Sequence, residues 1–192
     1  MTGEQKYAII FAGNIIIIKE KIKKVIILGI DPGLATVGYG VLKFERNKFT
    51  TINYGVIITP PKTPVHERLK TIYDEIKNLI DMYKPDDLAI EELFYNTNQK
   101  TIISVCEARG VVLLCAYQNR LDIGEYTPLQ VKQSVVGYGR ADKIQVQTMV
   151  KNILNLEKMP KPDDAADALA IGICHAHSKS TNSLFNILNA KI

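Results

Sequence analysis

"ILGIDPGLATVGYGVLKF" occupies residues 27–44, and its centre, Asp31-Pro32-Gly33, decides how the chain is read. The preceding "KVIILGID" (24–31) is an apolar, β-branched run of the kind that forms a buried strand, bounded by Pro-Gly. "TVGYGVLKF" (36–44) and "FTTINYGVIIT" (49–59) follow after short connections, so the three read as an antiparallel meander. Asp31 then stands at the end of the first of them. A turn aspartate before Pro-Gly is common, but a carboxylate delivered to a sheet edge is also one wall of a candidate site.

Beyond Pro60, Pro61 and Pro64, the apolar residues Leu69, Ile72, Ile76, Leu79, Ile80 and Tyr83 recur at three- and four-residue steps. That spacing predicts an amphipathic helix over 65–83, ended by Lys84-Pro85. "DDLAIEELFY" (86–95) reads as a fourth strand, parallel to the first after a helical crossover. "TIISVCEARGVVLLCAYQNR" (101–120) is helical and apolar almost all round, which predicts burial in the core or at a subunit contact. "DIGEYTP" supplies a fifth strand, with helices over 128–136, 142–155 and 164–177. Three strands followed by alternating helix and strand specify an α/β domain with a mixed sheet.

Composition narrows the class. The chain has 192 residues, 46% hydrophobic and 23% charged, as in an ordinary globular domain. Cys106, Cys115 and Cys174 are odd in number and lack C-x-x-C spacing, which argues against a disulfide framework and for a reducing, cytoplasmic setting. Of the 24 Lys and Arg and 20 Asp and Glu, residues 1–24 hold five lysines and two glutamates, leaving 19 basic against 18 acidic in the remainder. A nucleic-acid partner therefore has to be argued from local clusters rather than net charge. The apolar run "AIIFAGNIIII" (8–18) falls short of the ~20 residues a membrane-spanning helix needs, and it lacks the flanks of a signal peptide. No membrane partner is expected. The polar segment "SKSTNS" (178–183) is expected to be poorly ordered.

Four carboxylates stand out. Glu91, flanked by Ala89, Ile90 and Leu93, faces a covered surface, and its strand brings it to the edge that Asp31 reaches. Asp164 and Asp167 are three residues apart and share a helix face, on a helix kept slim by Ala165, Ala166, Ala168 and Ala170. An N-cap and a first-turn acid are the bland reading of that pair. Converging carboxylates repel one another unless a cation neutralises them. All-oxygen donors favour Mg²⁺ or Mn²⁺, and two such ions support phosphodiester hydrolysis.

"ILGIDPGLATVGYGV", "AIEELFYNTN", "EARGVVLL", "VKQSVVGYGRADKIQVQTMV" and "DDAADALAIGICHAH" together resemble, in order and spacing, the RuvC-type Holliday junction resolvases. The likeness runs from about Val25 to His177. It implies a ribonuclease-H-like fold, with a five-stranded mixed sheet whose fourth and fifth strands run parallel to the first. It also implies a homodimeric, Mg²⁺-dependent endonuclease, with two ions per subunit, that nicks opposing strands of four-way DNA junctions and works with the RuvA–RuvB branch-migration complex. By motif, its catalytic and metal-binding residues are Asp31, Glu91, Asp164 and Asp167, with Asp163 a helix cap. The resemblance places Phe94 against junction bases, and Lys132 and Lys143 against phosphates; Arg140 joins them around the Gly137-Tyr138-Gly139 loop. A core aromatic and a solvated basic surface are the plain alternatives. Residues 1–24 have no counterpart in the family and read as an extension of open status, one hypothesis being that translation starts at Val25 from a non-ATG codon; a nuclease domain over 25–178 and a tail over 179–192 follow.

Two readings of Cys174, His175 and His177 stay open, a zinc site or polar residues at a helix end near the acids, and His66 reads as helix surface. Three rival functions share some of these features. "GIDPG" before a strand also suits the phosphate hairpin of actin-like ATPases and sugar kinases, but those need two such domains and a second phosphate loop. A non-catalytic junction binder has no use for four clustered acids. An RNA nuclease of the same fold is disfavoured by Phe94 and "VKQSVVGYGR".

Overall fold

The computed structural model describes residues 4–11, 14–21, 24–93 and 99–189, with side chains over 24–93 and 102–181. The secondary structure runs β1 (Glu4–Phe11), β2 (Asn14–Lys21), β3 (Val25–Asp31), β4 (Thr36–Glu45), β5 (Lys48–Ile58), α1 (Val65–Tyr83), β6 (Asp87–Glu91), α2 (Gln99–Gln118), β7 (Asp122–Tyr126), α3 (Pro128–Val136), α4 (Lys143–Ile153) and α5 (Asp163–Asn189). The N-terminal apolar run folds as a hairpin, β1 antiparallel to β2 with Tyr7 opposite Ile18, in a two-stranded sheet of its own.

The main sheet has the order β5-β4-β3-β6-β7. β3 and β4 are antiparallel, as are β4 and β5, while β6 runs parallel to both β3 and β7. This is the five-stranded mixed sheet expected from the sequence. Side-chain alternation sorts the strands into two apolar layers. Leu28, Ile30, Leu88 and Ile90 pack with Ile72, Ile76, Ile80, Ala108, Val112 and Cys115 from α1 and α2. Ile27, Leu42 and Ala89 face the other way, onto Val131, Val146, Leu169 and Ile173 from α3, α4 and α5. Asp31 and Glu91 keep step with that second set.

α5 lies unusually close to the sheet. A Cβ built on Gly29 would stand 2.3 Å from the Ala168 carbonyl oxygen, and one on Gly38 would stand 2.0 Å from that of Asp164. The alanines expected to keep α5 slim are buried, but the close approach also depends on these strand glycines. Gly38 pairs with Asp31 across the β3–β4 ladder, so the first turn of α5 rests beside the acid at the sheet edge.

Two expectations need correction. β6 ends at Glu91 rather than Tyr95. After Glu92 N–H bonds the Tyr126 carbonyl, β7 gives way to α3, whose first residue Pro128 has no N–H to extend the ladder. The polar segment 178–183, expected to be poorly ordered, lies inside α5. Lys179 there holds Asp87 at 2.6 and 2.8 Å, and the Ser180 and Thr181 hydroxyls bond carbonyls one turn back. Among the described residues no helix is long and apolar enough to cross a membrane.

Candidate active site

The C-terminal edge of the parallel strands carries the site. β3 and β6 run in register through Ile30 and Ile90, so the next residues, Asp31 and Glu91, leave the sheet side by side. Asp167 comes from the second turn of α5. With Lys132 and Val131 of α3, Lys143 and Val146 of α4, and Pro128, Ala170 and Ile171, these three acids line a pocket of about 250 Å³. α3 and α4 are fixed at this edge by reciprocal caps. The Gln130 N–H donates to Thr127 Oγ1 and the Gln145 N–H to Asp142 Oδ1, while each glutamine side chain accepts from its cap residue's N–H.

Burial pushes the Asp31 carboxyl up to about 7, and the charges of Glu91, Asp167 and Asp164 push the same way against the pull of Lys143. Glu91 is likewise raised to about 7 by burial and by Asp167, with Lys132 opposing. Burial raises Asp167 too, against the ammonium of Lys143. Lys143 Nζ stands 3.3 Å from Asp167 and 3.4 Å from Asp163. Asp164 does not line the pocket, but it acts on Asp31 through its charge.

The donor chemistry suits a hard divalent cation: carboxylate oxygens, crowded and partly desolvated, with one ammonium already drawn in. As placed, no group of three acidic, His or Cys residues among the described residues holds an ion by itself.

The electrostatics carry a pH consequence. A carboxyl whose pKa is raised by folding is easier to protonate in the native state, so from about pH 4 to 7 the native protein binds more protons than the unfolded chain. Stability from these groups therefore falls as pH rises through that window. In chelator, the unfolding temperature is expected to drop between about pH 5 and pH 8, with added divalent ion recovering part of the loss at the higher pH. A calorimetric scan checks this. A chelated protein that gains stability across the window contradicts the placement of the acids.

The other expected contacts divide. Lys132 lies on the pocket wall. Arg140 is exposed on the α3–α4 connection, outside the pocket, and has no ion-pair partner among the described residues. Phe94 lies outside the described residues. Asp163, expected as a cap, is the first residue of α5 and pairs with Lys143 and Lys161. His66 is exposed on α1.

Cys174, His175 and His177 lie well inside α5, away from the acids. His175 Nε2 is 2.9 Å from Asp87 Oδ2 and its Nδ1 is 2.9 Å from the Tyr126 hydroxyl, whereas His177 meets Ser134 and the edge of Phe49. Asp87 starts the strand that Glu91 ends, which separates the two clusters by about 13 Å along β6. No metal-holding group of three forms here either among the described residues. Burial raises the Asp87 carboxyl, and hydrogen bonds from His175 and Lys179 outweigh it and hold the group low. The cluster neutralises a buried charge and ties α5 to β6.

Arg109 was missed. Its Nε donates to the Glu91 carbonyl at 3.1 Å, and its guanidinium pairs with Glu125. A lone arginine in the apolar run "CEARGVVLL" was the signal available.

Comparison with known proteins settles the family. The family model described as "Crossover junction endodeoxyribonuclease RuvC" matches residues 27–175. The chain belongs to the RuvC family. A RuvC from Alkaliphilus oremlandii is 59% identical over 162 residues, which is 84% of this chain and 99% of that protein. Among solved structures, Thermus thermophilus RuvC shares 34% identity with a TM-score of 0.77, over 82% of this chain and 96% of that one. The same protein in complex with a Holliday junction substrate superposes with a TM-score of 0.78 at 33% identity, again over 82% and 96%. The family match confirms the ribonuclease-H-like fold and excludes the ATPase and kinase readings. It also places the acid edge inside the matched segment.

Proposed function

We propose that the acid edge is the catalytic centre of a Holliday junction endonuclease, with Asp31, Glu91, Asp164 and Asp167 as its catalytic and metal-binding residues. The observation that carries this reading is the convergence of Asp31, Glu91 and Asp167 on one pocket where burial and mutual repulsion demand a counter-cation. The four carboxylates would hold Mg²⁺, two ions per subunit, with Mn²⁺ as a substitute. Divalent ions bound there supply activation of water and neutralisation of charge on the leaving oxygen.

The chain's own groups do the rest. Lys132 and Lys143 line the pocket, and their ammonium groups draw in and hold a backbone phosphate there. Lys143 exchanges its contact with Asp167 for one with phosphate, which frees that carboxylate for the metal. Arg140 extends the cationic surface beyond the pocket, and Phe94 contacts unpaired bases at the branch point.

A homodimer is the second part of the proposal. The outer face of α2 exposes Ile103 at 68%, Leu114 at 53% and Tyr117 at 77%, residues that share one arc of the helix. Covering it with the same face of a second copy places two equivalent sites on a two-fold symmetric junction. Residues 25–178 are read as the nuclease domain and 1–24 as an extension to it, while the stretch read as a tail, 179–192, begins within α5 and is tied to β6 by Lys179. Three free cysteines fit a reducing cytoplasm. Coupling to a RuvA–RuvB branch-migration complex rests on the family resemblance.

The test is a synthetic four-way junction labelled on two opposing strands, compared with duplex DNA of the same sequence. Paired nicks in Mg²⁺, none in chelator and little cutting of duplex are expected. Equal cutting of duplex and junction, or cutting in chelator, removes the proposal.

A further inference from the structure

Arg109 does not enter the acid pocket, yet it touches the strand that carries Glu91. Alternation along β6 puts the Glu91 side chain on the α5 side of the sheet with Ala89, while Ile90 faces α1 and α2. Glu125 is the register partner of Ile90, so it points to the α2 side. Arg109 therefore reaches the site from behind. Its Nε takes the last carbonyl of β6, and its guanidinium takes the Glu125 carboxylate one residue before the end of β7. One side chain thus ties together the ends of two adjacent parallel strands.

β6 ends at Glu91, so the Arg109 hydrogen bond supports the end of that strand from the α2 layer. Arginine suits this task because its planar fork donates in two directions at once, which a lysine ammonium on a flexible stem does less well. The same helix holds Ala108, Val112 and Cys115 in the core and exposes Ile103, Leu114 and Tyr117 on its opposite side. Arg109 thus joins α2 to the backbone of Glu91.

We propose that Arg109 is a positioning residue for cleavage: it fixes the Glu91 carboxylate relative to Asp31 by clamping the ends of β6 and β7 to α2, and so links the catalytic acids to the helix assigned to the subunit contact. This deepens the nuclease reading above and rests on it. The clamp acts on metal affinity and on cleavage, not on DNA binding, because Arg109 lies on the far side of the sheet from Lys132 and Lys143.

Arg109→Gln and Arg109→Lys are the variants to compare with the parent protein. Calorimetric titration of the DNA-free protein with Mn²⁺ is the first readout. Single-turnover cleavage of a four-way junction is the second, with junction affinity, sedimentation and unfolding temperature alongside. Arg109→Gln is expected to weaken Mn²⁺ binding several-fold and to slow cleavage about ten- to hundredfold, the scale of a small misplacement of a catalytic group, with junction affinity unchanged. Arg109→Lys is expected to fall between it and the parent, and it carries the test if the glutamine variant does not fold. A folded Arg109→Lys or Arg109→Gln protein with parental Mn²⁺ affinity and cleavage overturns the proposal. So does a loss of cleavage that merely tracks the fraction of folded protein. If the parent itself fails to cut junctions, the nuclease reading falls, and the Mn²⁺ titrations still decide whether Arg109 positions the acids.

Discussion

Asp31→Asn is expected to abolish junction cleavage while leaving junction binding intact, and to stabilise the metal-free protein at alkaline pH. Asparagine keeps the shape of the side chain and one acceptor oxygen but removes the negative charge. Loss of a group that holds transition-state charge in place typically costs about 10²–10³-fold in rate, and a metal ligand is expected to reach at least the upper end of that range. The stability gain has a separate origin. Burial and three neighbouring acids raise the Asp31 carboxyl to about 7, so its ionised form is unfavourable in the fold above that pH. Removing that charge relieves Glu91 and Asp167 at the same time. Junction binding is expected to hold or tighten without metal, since one fewer negative charge faces the phosphates. Parallel gel-shift, cleavage and thermal-unfolding measurements separate the three effects. A variant that cleaves normally, or that is destabilised in chelator at pH above about 7, is incompatible with Asp31 as a repelled acid of the site.

Gly38→Ala carries the second large effect. The added methyl would meet the Asp164 carbonyl oxygen at 2.0 Å and its carbonyl carbon at 2.5 Å. Both are backbone atoms of the first turn of α5, so no rotamer change relieves the clash. Either β4 or the start of α5 must move, and Asp164 and Asp167 move with the helix. Forced overpacking of this kind costs about 1–3 kcal/mol, or roughly 2–12 °C in unfolding temperature for a domain of this size. Gly29→Ala meets the Ala168 carbonyl oxygen at 2.3 Å, one turn further along α5 and next to the pocket-lining Asp167. Both variants are expected to lose stability and, because both push the start of α5 off the sheet, to lose more cleavage than the unfolded fraction accounts for. Cleavage that merely tracks the folded fraction in both contradicts the view that the start of α5 is placed by contact at these two glycines.

Much of this was legible in the chain because it depends on local period and punctuation. The bounds of α1 and α3 follow from apolar spacing and from Pro85 and Pro128, and the meander follows from alternation and short turns. Asp31 and Glu91 were placed together because register in a parallel pair fixes which residues share an edge. What escaped were facts set by tertiary contact. Lys143 pairs with Asp167 as well as lining the pocket, and no spacing rule joins residues so far apart in sequence. His175 was associated with the acids because it is near Asp167 in sequence, whereas α5 carries it to the far end of β6. The length of α5 was underestimated because Ser, Thr and Asn weigh against helix, while the bond from Lys179 to Asp87 holds that stretch in place.

The central claim is that Asp31, Glu91, Asp164 and Asp167 share divalent ions. A crystal of the protein soaked in Mn²⁺, with anomalous scattering recorded at the manganese edge, tests it most directly. The expected result is an anomalous peak between the Asp31, Glu91 and Asp167 carboxylates, with the Lys143 ammonium displaced from Asp167. Strong peaks elsewhere on the protein and none at that edge would contradict the account.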